Sequence, residues 1–314
     1  MGPGLLGLAD RELGGAMEGR DASPPNFGPK RRRYRTGEVR ILVTNDDGVH
    51  APGLAAMVQA LARWAKETDG HEIVVVAPLE NHSGASAAVG TVFERQAVDF
   101  HRVSIEGAEE IPTYGLDASP ALSVIIGAFG AFGPKPDLIV SGINLGVNVG
   151  RSILHSGTVG AALTGTQYGL RGLAVSMRSL PEPHQWETAS AVALSMIPVV
   201  SAAPPRTVFN LNVPAVPLDQ LRGVVSARIS DAGIVQGAHA GITNGDAGSI
   251  ELVLGTAVPS LGDTSDEGPS EDGALIAAGY ASLTALRGVG EDGRPETQAI
   301  VERAIEEAHR LLAF

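Results

Sequence analysis

Five apolar runs of strand length, separated by stretches of helical periodicity, constrain this chain more than any other feature. They occupy residues 39–45, 71–78, 137–142, 172–177 and 207–212. The first three centre on unbroken Val, Ile, Leu and Ala (Ile41-Leu42-Val43, Ile73-Val74-Val75-Val76-Ala77 and Leu138-Ile139-Val140), without the polar alternation of a strand that has one wet face. Such runs are expected to be buried on both faces. Between them, residues 52–65, 119–130, 158–169 and 186–201 carry apolar side chains at helical spacing. In the first of these, Pro52 suits a first helical turn, and Leu54, Met57, Val58, Leu61 and Ala62 share one face. Strand, helix and parallel strand in repetition imply an α/β fold, a doubly wound and mostly parallel sheet.

Around this core the rhythm changes. Residues 91–96 and 100–105 are short β-like pieces that read as a hairpin inserted beside the sheet. Beyond Pro214, residues 224–229 and 250–254 read as strands around a Gly/Asp-rich loop. Residues 259–273 read as a mobile stretch and 296–314 as a closing helix. The expected division is a leader over 1–38, a core over 39–215 and a smaller C-terminal β/α extension over 216–314. The leader ends in Lys30-Arg31-Arg32-Arg33-Tyr34-Arg35 and contains a second in-frame start, Met17. It reads as a disordered, solvated segment, with an arm for RNA or another anionic surface as the alternative.

Composition narrows the classes. A formal net charge of −12 argues against general nucleic-acid binding, which uses basic stripes. The absence of cysteine excludes disulfides, zinc–thiolate sites and thiol nucleophiles. No apolar run reaches the roughly 18–20 residues of a membrane span, and no secretory segment opens the chain, so a cytoplasmic protein is expected.

Three loops carry the chemistry. The first strand ends in Asn45-Asp46-Asp47-Gly48. Adjacent carboxylates repel unless a cation lies between them, and hard oxygens suit Mg²⁺ or Mn²⁺; a capped turn with Gly48 at positive φ is the plain alternative. After the second strand, Asn81-His82-Ser83-Gly84-Ala85-Ser86 offers neutral oxygens and free backbone N–H groups. After the third come Ser141-Gly142-Ile143-Asn144-Leu145-Gly146-Val147-Asn148 and then His155-Ser156-Gly157-Thr158, which opens a helical run. A helix N-terminus of this kind is a ready anion site. Taken singly, each loop can be ordinary capping and glycine punctuation. Together, all following parallel strands, they describe a metal-assisted site for a phosphorylated ligand. No Walker loop and no strand-following GxGxxG is present, so nucleotide-triphosphatase and dinucleotide readings lack support.

At these residues the chain resembles the SurE family of metal-dependent 5'/3'-nucleotidases. The resemblance rests on Asn45-Asp46-Asp47-Gly48-Val49-His50-Ala51-Pro52-Gly53, Asn81-His82-Ser83-Gly84-Ala85-Ser86, Ser141-Gly142-Ile143-Asn144-Leu145-Gly146 and Ser156-Gly157-Thr158-Val159-Gly160-Ala161-Ala162. It spans roughly residues 39–287, with weaker echoes at 210–214 and 279–284. It implies a Rossmann-like core, oligomerisation through the extension as a homodimer or homotetramer, and one divalent cation on Asp46, Asp47, Ser83 and Asn144. It further implies catalytic roles for Asp46, Asp47, Asn81, Ser156 and Thr158. Asn45, Gly84, Asn148, His155 and Gly157 would bind phosphate. The activity implied is hydrolysis of nucleoside monophosphates.

The chain also departs from the family pattern. His155 stands where the family usually has tyrosine, either as a phosphate contact or proton donor or as a change in the pocket wall. Gly115-Leu116-Asp117-Ala118-Ser119-Pro120 replaces a Gly-Thr-Pro-x-Asp segment, and residues 229–256 hold no Trp, Tyr or Phe. Stacking on a nucleobase would need other residues. The alternatives are a phosphatase retuned to another small ester or short polyphosphate, and a non-catalytic nucleotide- or phosphate-binding module.

Overall fold

The computed structural model describes residues 38–68, 70–90, 97–181, 183–231, 235–242, 248–254, 270–290 and 293–312. The leader, half of the expected hairpin (91–96) and most of the stretch expected to be mobile lie outside these residues. In chain order the elements are β1 (Arg40–Thr44), α1 (Pro52–Thr68), β2 (Glu72–Pro78), β3 (Phe100–Val103), β4 (Thr113–Leu116), α2 (Pro120–Ala128) and β5 (Leu138–Leu145). There follow α3 (Gly157–Gln167), β6 (Arg171–Met177), α4 (Trp186–Ala202), β7 (Val208–Val213) and β8 (Val224–Ser226). β9 (Val235–Ile242), β10 (Gly248–Leu254), α5 (Asp272–Ala277), β11 (Ala281–Leu286) and α6 (Pro295–Leu312) close the chain.

The doubly wound, mostly parallel sheet is present and consistent with a Rossmann-like fold. It has nine strands in the order β3-β4-β2-β1-β5-β6-β7-β11-β8. From β4 to β7 every pairing is parallel. The continuous apolar runs are explained by burial on both sides. Ile41 and Val43 face the core under α1 and α4, while Leu42 between them joins the core under α2. Each fully buried Leu or Ile of this kind contributes about 1.5–3 kcal/mol, and Leu42→Ala would cost about 2–5 kcal/mol with its cavity.

Two findings refine the expected layout. Phe100–Val103 pairs antiparallel with β4, so the hairpin partner among the described residues is 113–116. The extension also enters the main sheet: β11 pairs antiparallel with β7 and parallel with β8. Residues 272–273, at the end of the stretch expected to be mobile, belong to a helix instead, with Asp272 the buried first residue of α5. β9 and β10 form a separate antiparallel pair, with Ile250 and Leu252 exposed.

The strand order places the chemistry. The chain builds outward from β1 to β2 and β4, then returns through α2 to β5 on the other side of β1. The crevice of a doubly wound sheet lies beyond the carboxyl ends of its strands at this reversal. β1 ends there at Asn45-Asp46-Asp47 and β5 at Asn144-Leu145.

Candidate active site

The acidic turn is tightly made. Asn45 Nδ2 donates to Gly48 O at 2.8 Å, and Gly48 takes φ +101°, a conformation that favours glycine. Val49 N donates to Pro78 O at 2.7 Å and His82 N to Asp46 O at 2.7 Å, joining the first two loops. Asn45 itself is buried, and its Oδ1 has no partner among the described residues.

Asp46 points to the start of α3. Its Oδ1 accepts from Thr158 Oγ1 at 2.6 Å. Ser156 caps that helix by accepting from Val159 N at 3.1 Å. A Cβ added at Gly157 would lie 2.7 Å from Asp46 Cβ, so only glycine permits this approach. Burial raises the Asp46 pKa above the ordinary aspartate value. The Thr158 hydroxyl and the N–H groups of Asp46, Thr158 and Gly157 work against that rise, but burial prevails.

Asp47 is half-buried and more loosely held. Ser83 Oγ and Leu145 N approach its two oxygens at 3.4 Å each, beyond a well-formed hydrogen bond. Burial first, and then the charge of Asp46, raises its pKa; the Leu145 N–H and Ser83 hydroxyl offset part of this. The neighbouring Asn144 donates through Nδ2 to Gly146 O, leaving its Oδ1 as the oxygen available to a ligand. Asn81 Oδ1 accepts from Ser83 N at 2.7 Å and sets the turn that presents Ser83.

Among the described residues no group of three or more His, Cys, Asp or Glu side chains comes together. A cation here would therefore take two carboxylates and complete its shell with neutral oxygens. Two adjacent proton-seeking acids, one of them poorly satisfied, beside a hydroxyl and an amide oxygen fit a hard divalent ion. They do not fit a zinc–thiolate or imidazole site.

The remaining expected site residues are distributed unevenly. Ser86 donates through Oγ to Leu154 O at 2.7 Å and through N to His155 O at 3.2 Å, clasping the second loop to the turn before α3. The His155 side chain and Gly84 are exposed. Asn148 is held through its backbone and its side-chain NH₂. Its Nδ2 donates to Ser176 Oγ at 2.7 Å, its N to Asn212 Oδ1 at 2.7 Å, and its O accepts from Asn210 and Asn212. Sequence reasoning missed Ser176, Asn210 and Asn212 as its supports. Two asparagines two apart in a buried strand, both therefore on one face, were the available signal.

Fold and site together define a doubly wound α/β protein with a paired-acid turn at the sheet's reversal, facing a capped helix N-terminus. Comparison with known proteins narrows this class. Residues 41–235 match the family model described as Survival protein SurE. The chain is 38% identical over 251 residues to the 5'-nucleotidase SurE of Stutzerimonas stutzeri (strain A1501), covering 79% of this chain and 92% of the relative. It is 36% identical over 250 residues to the 5'/3'-nucleotidase SurE of Klebsiella pneumoniae (strain 342), covering 79% and 90%. The chain belongs to the SurE family. The crystal structure of the SurE protein from Aquifex aeolicus shares the fold, with a TM-score of 0.66 at 23% identity over 84% of this chain and 99% of that one. No helix among the described residues is long and apolar enough to cross a membrane.

Proposed function

We propose that this chain is a divalent-metal-dependent phosphomonoesterase that hydrolyses nucleoside 5'- and 3'-monophosphates to nucleoside and phosphate. The observation that carries this reading is the 2.6 Å contact between Asp46 and Thr158, which puts the acidic turn and the α3 N-terminus at one point. The nucleotidase names of the relatives support the substrate class. Asp46, Asp47, Ser83 and Asn144 would hold Mg²⁺ or Mn²⁺, which supplies Lewis acidity toward the phosphoryl group and the attacking water.

The chain's own groups do the rest. The N–H groups that open α3 would face the equatorial phosphoryl oxygens and stabilise their charge in the transition state, while the Thr158 hydroxyl, its proton given to Asp46, fixes that carboxylate beside them. Water adds to phosphorus as the ester P–O bond breaks, and the proton that water gives up passes by way of the acidic pair to the leaving alkoxide. A carboxylate of the Asp46–Asp47 pair would take the proton released by water. Ser156 fixes the first turn of α3, and Asn81 fixes Ser83. Asn45 holds the acidic turn and Asn148 the loop before α3, while His155 and Gly84 line the open rim.

We also read the protein as a cytoplasmic homo-oligomer assembled through residues 216–314, a reading supported by the exposed Ile250 and Leu252 of a strand that pairs only with β9 among the described residues. The central test is phosphate release from nucleotides, sugar phosphates and short polyphosphate with Mg²⁺, Mn²⁺ or EDTA. Metal-dependent release from nucleoside monophosphates is expected. No release from any substrate would overturn the enzyme reading.

A further inference from the structure

Asp272 lies outside every loop that carries the proposed chemistry and outside residues 41–235, yet it is fully buried. Its carboxyl group accepts three backbone hydrogen bonds. Oδ2 takes Gly150 N at 2.8 Å, and Oδ1 takes Ser230 N at 3.1 Å and Gly273 N at 2.8 Å. Three distant segments therefore meet on one side chain. The segments holding Ser230 and Asp272 are themselves zipped together, with Arg228 N donating to Ser270 O at 2.9 Å and Asp272 N to Arg228 O at 2.9 Å. On the outside, Arg151 Nη2 reaches Asp231 Oδ1 at 2.9 Å, an exposed tie between the Gly150 and Ser230 segments.

Gly150 is where this matters. It follows Asn148, already pinned by Ser176, Asn210 and Asn212, and it opens the short 3-10 helix Gly150–His155. That turn ends at Ser156, the cap of α3. The segment is thus held at its start by Asp272 and at its end by the capped helix, with the phosphate-facing amides immediately after it. We propose that Asp272 is a positioning residue for the phosphate cradle, through which the C-terminal extension sets the placement of Gly157 and Thr158. The inference rests on the phosphoesterase reading of that cradle.

Asp272→Asn tests it in the full chain. Oδ1 serves two donors, so asparagine keeps its oxygen there and turns its NH₂ against Gly150 N–H, breaking that one contact. Inorganic phosphate and Mn²⁺ affinities are measured separately by calorimetry, alongside hydrolysis of 5'-AMP. Phosphate affinity and kcat/KM should fall about 10- to 100-fold, the scale of one hydrogen bond to a charged group. Mn²⁺ affinity should fall clearly less than phosphate affinity, because Asp272 touches no ligand of the acidic turn and reaches Asp46 only through Gly157 and Thr158. Equal loss of both affinities would mark a merely structural role and overturn the inference, as would unchanged phosphate affinity in a folded variant. Should the variant not fold, amide exchange of the wild type decides: the Gly150 N–H should be strongly protected, and free exchange there overturns the clip. A wild type that binds phosphate without hydrolysing any ester would sink the enzyme reading and leave the Asp272 comparison standing. One that binds no phosphate overturns both.

Discussion

The two halves of the site are built differently. On the α3 side, Asp46 is buried and bonded to Thr158 at 2.6 Å, and the helix beyond it is capped at 3.1 Å. On the Ser83 side, Asp47 is half-buried and meets its donors only at 3.4 Å. The first half is tied together by its own hydrogen bonds, although burial still raises the Asp46 pKa. The second half lacks positive charge, and burial beside Asp46 makes that lack costly. A phosphate cradle can be preformed from backbone and hydroxyl groups, whereas a cation site made of like charges remains under-satisfied until the cation arrives.

Breaking the link between the halves should have the largest effect. Asp46 serves both, so Asp46→Asn is expected to lower kcat by roughly 10³-fold or more while leaving the circular dichroism unchanged. Retained turnover would place the cation elsewhere. Thr158→Val, nearly isosteric, removes only the 2.6 Å contact and its hydroxyl. A fall of about 10- to 100-fold in kcat/KM is expected, with Thr158→Ser restoring most of it. If Thr158→Ser were no better than valine, the hydroxyl would not be the active element.

Much of this arrangement was legible in the sequence, and the reason is local. Continuous runs such as Ile41-Leu42-Val43 and the spacing of Leu54, Met57, Val58 and Leu61 state their burial within a few residues. The acidic turn and Ser156-Gly157-Thr158 are likewise punctuation next to those elements. What was not legible depends on partners far along the chain. Thr113-Tyr114-Gly115-Leu116 has no pattern of its own and becomes a strand by pairing with β2 and β3. Val235–Ile242, rich in Gly and Ala, is a strand only through β10. Asp272 meets Gly150 across 122 positions, a separation at which no spacing rule operates. The supports of Asn148 failed for the same reason, although the paired asparagines of β7 hinted at them.

The looser half should tolerate more. Ser83→Ala removes one neutral oxygen that water can replace, so a loss of about tenfold or less in metal affinity is expected, measured as the Mn²⁺ concentration for half-maximal rate. A loss as large as that of Asp46→Asn would show that the Ser83 side is built as rigidly as the α3 side.

The smallest effect reads the burial of Asp47 and its repulsion by Asp46 together. Both acids have raised pKa values in the folded chain, Asp46 through burial and Asp47 through burial and the charge of Asp46. A raised acid holds its proton in the folded state at pH values where the unfolded chain has released it. Its contribution to stability is fully present below the unfolded value and is lost as pH rises through the folded one. Asp47→Asn removes one of the repelling charges and cannot ionise. In EDTA, its thermal midpoint should therefore gain on that of the wild type as pH rises above the ordinary aspartate value, and saturating Mn²⁺ should reverse the order by stabilising only the wild type. A difference between the two midpoints that stays flat with pH would mean that neither burial nor the charge of Asp46 raises the Asp47 pKa in the free protein, and the contrast between the two halves would fail.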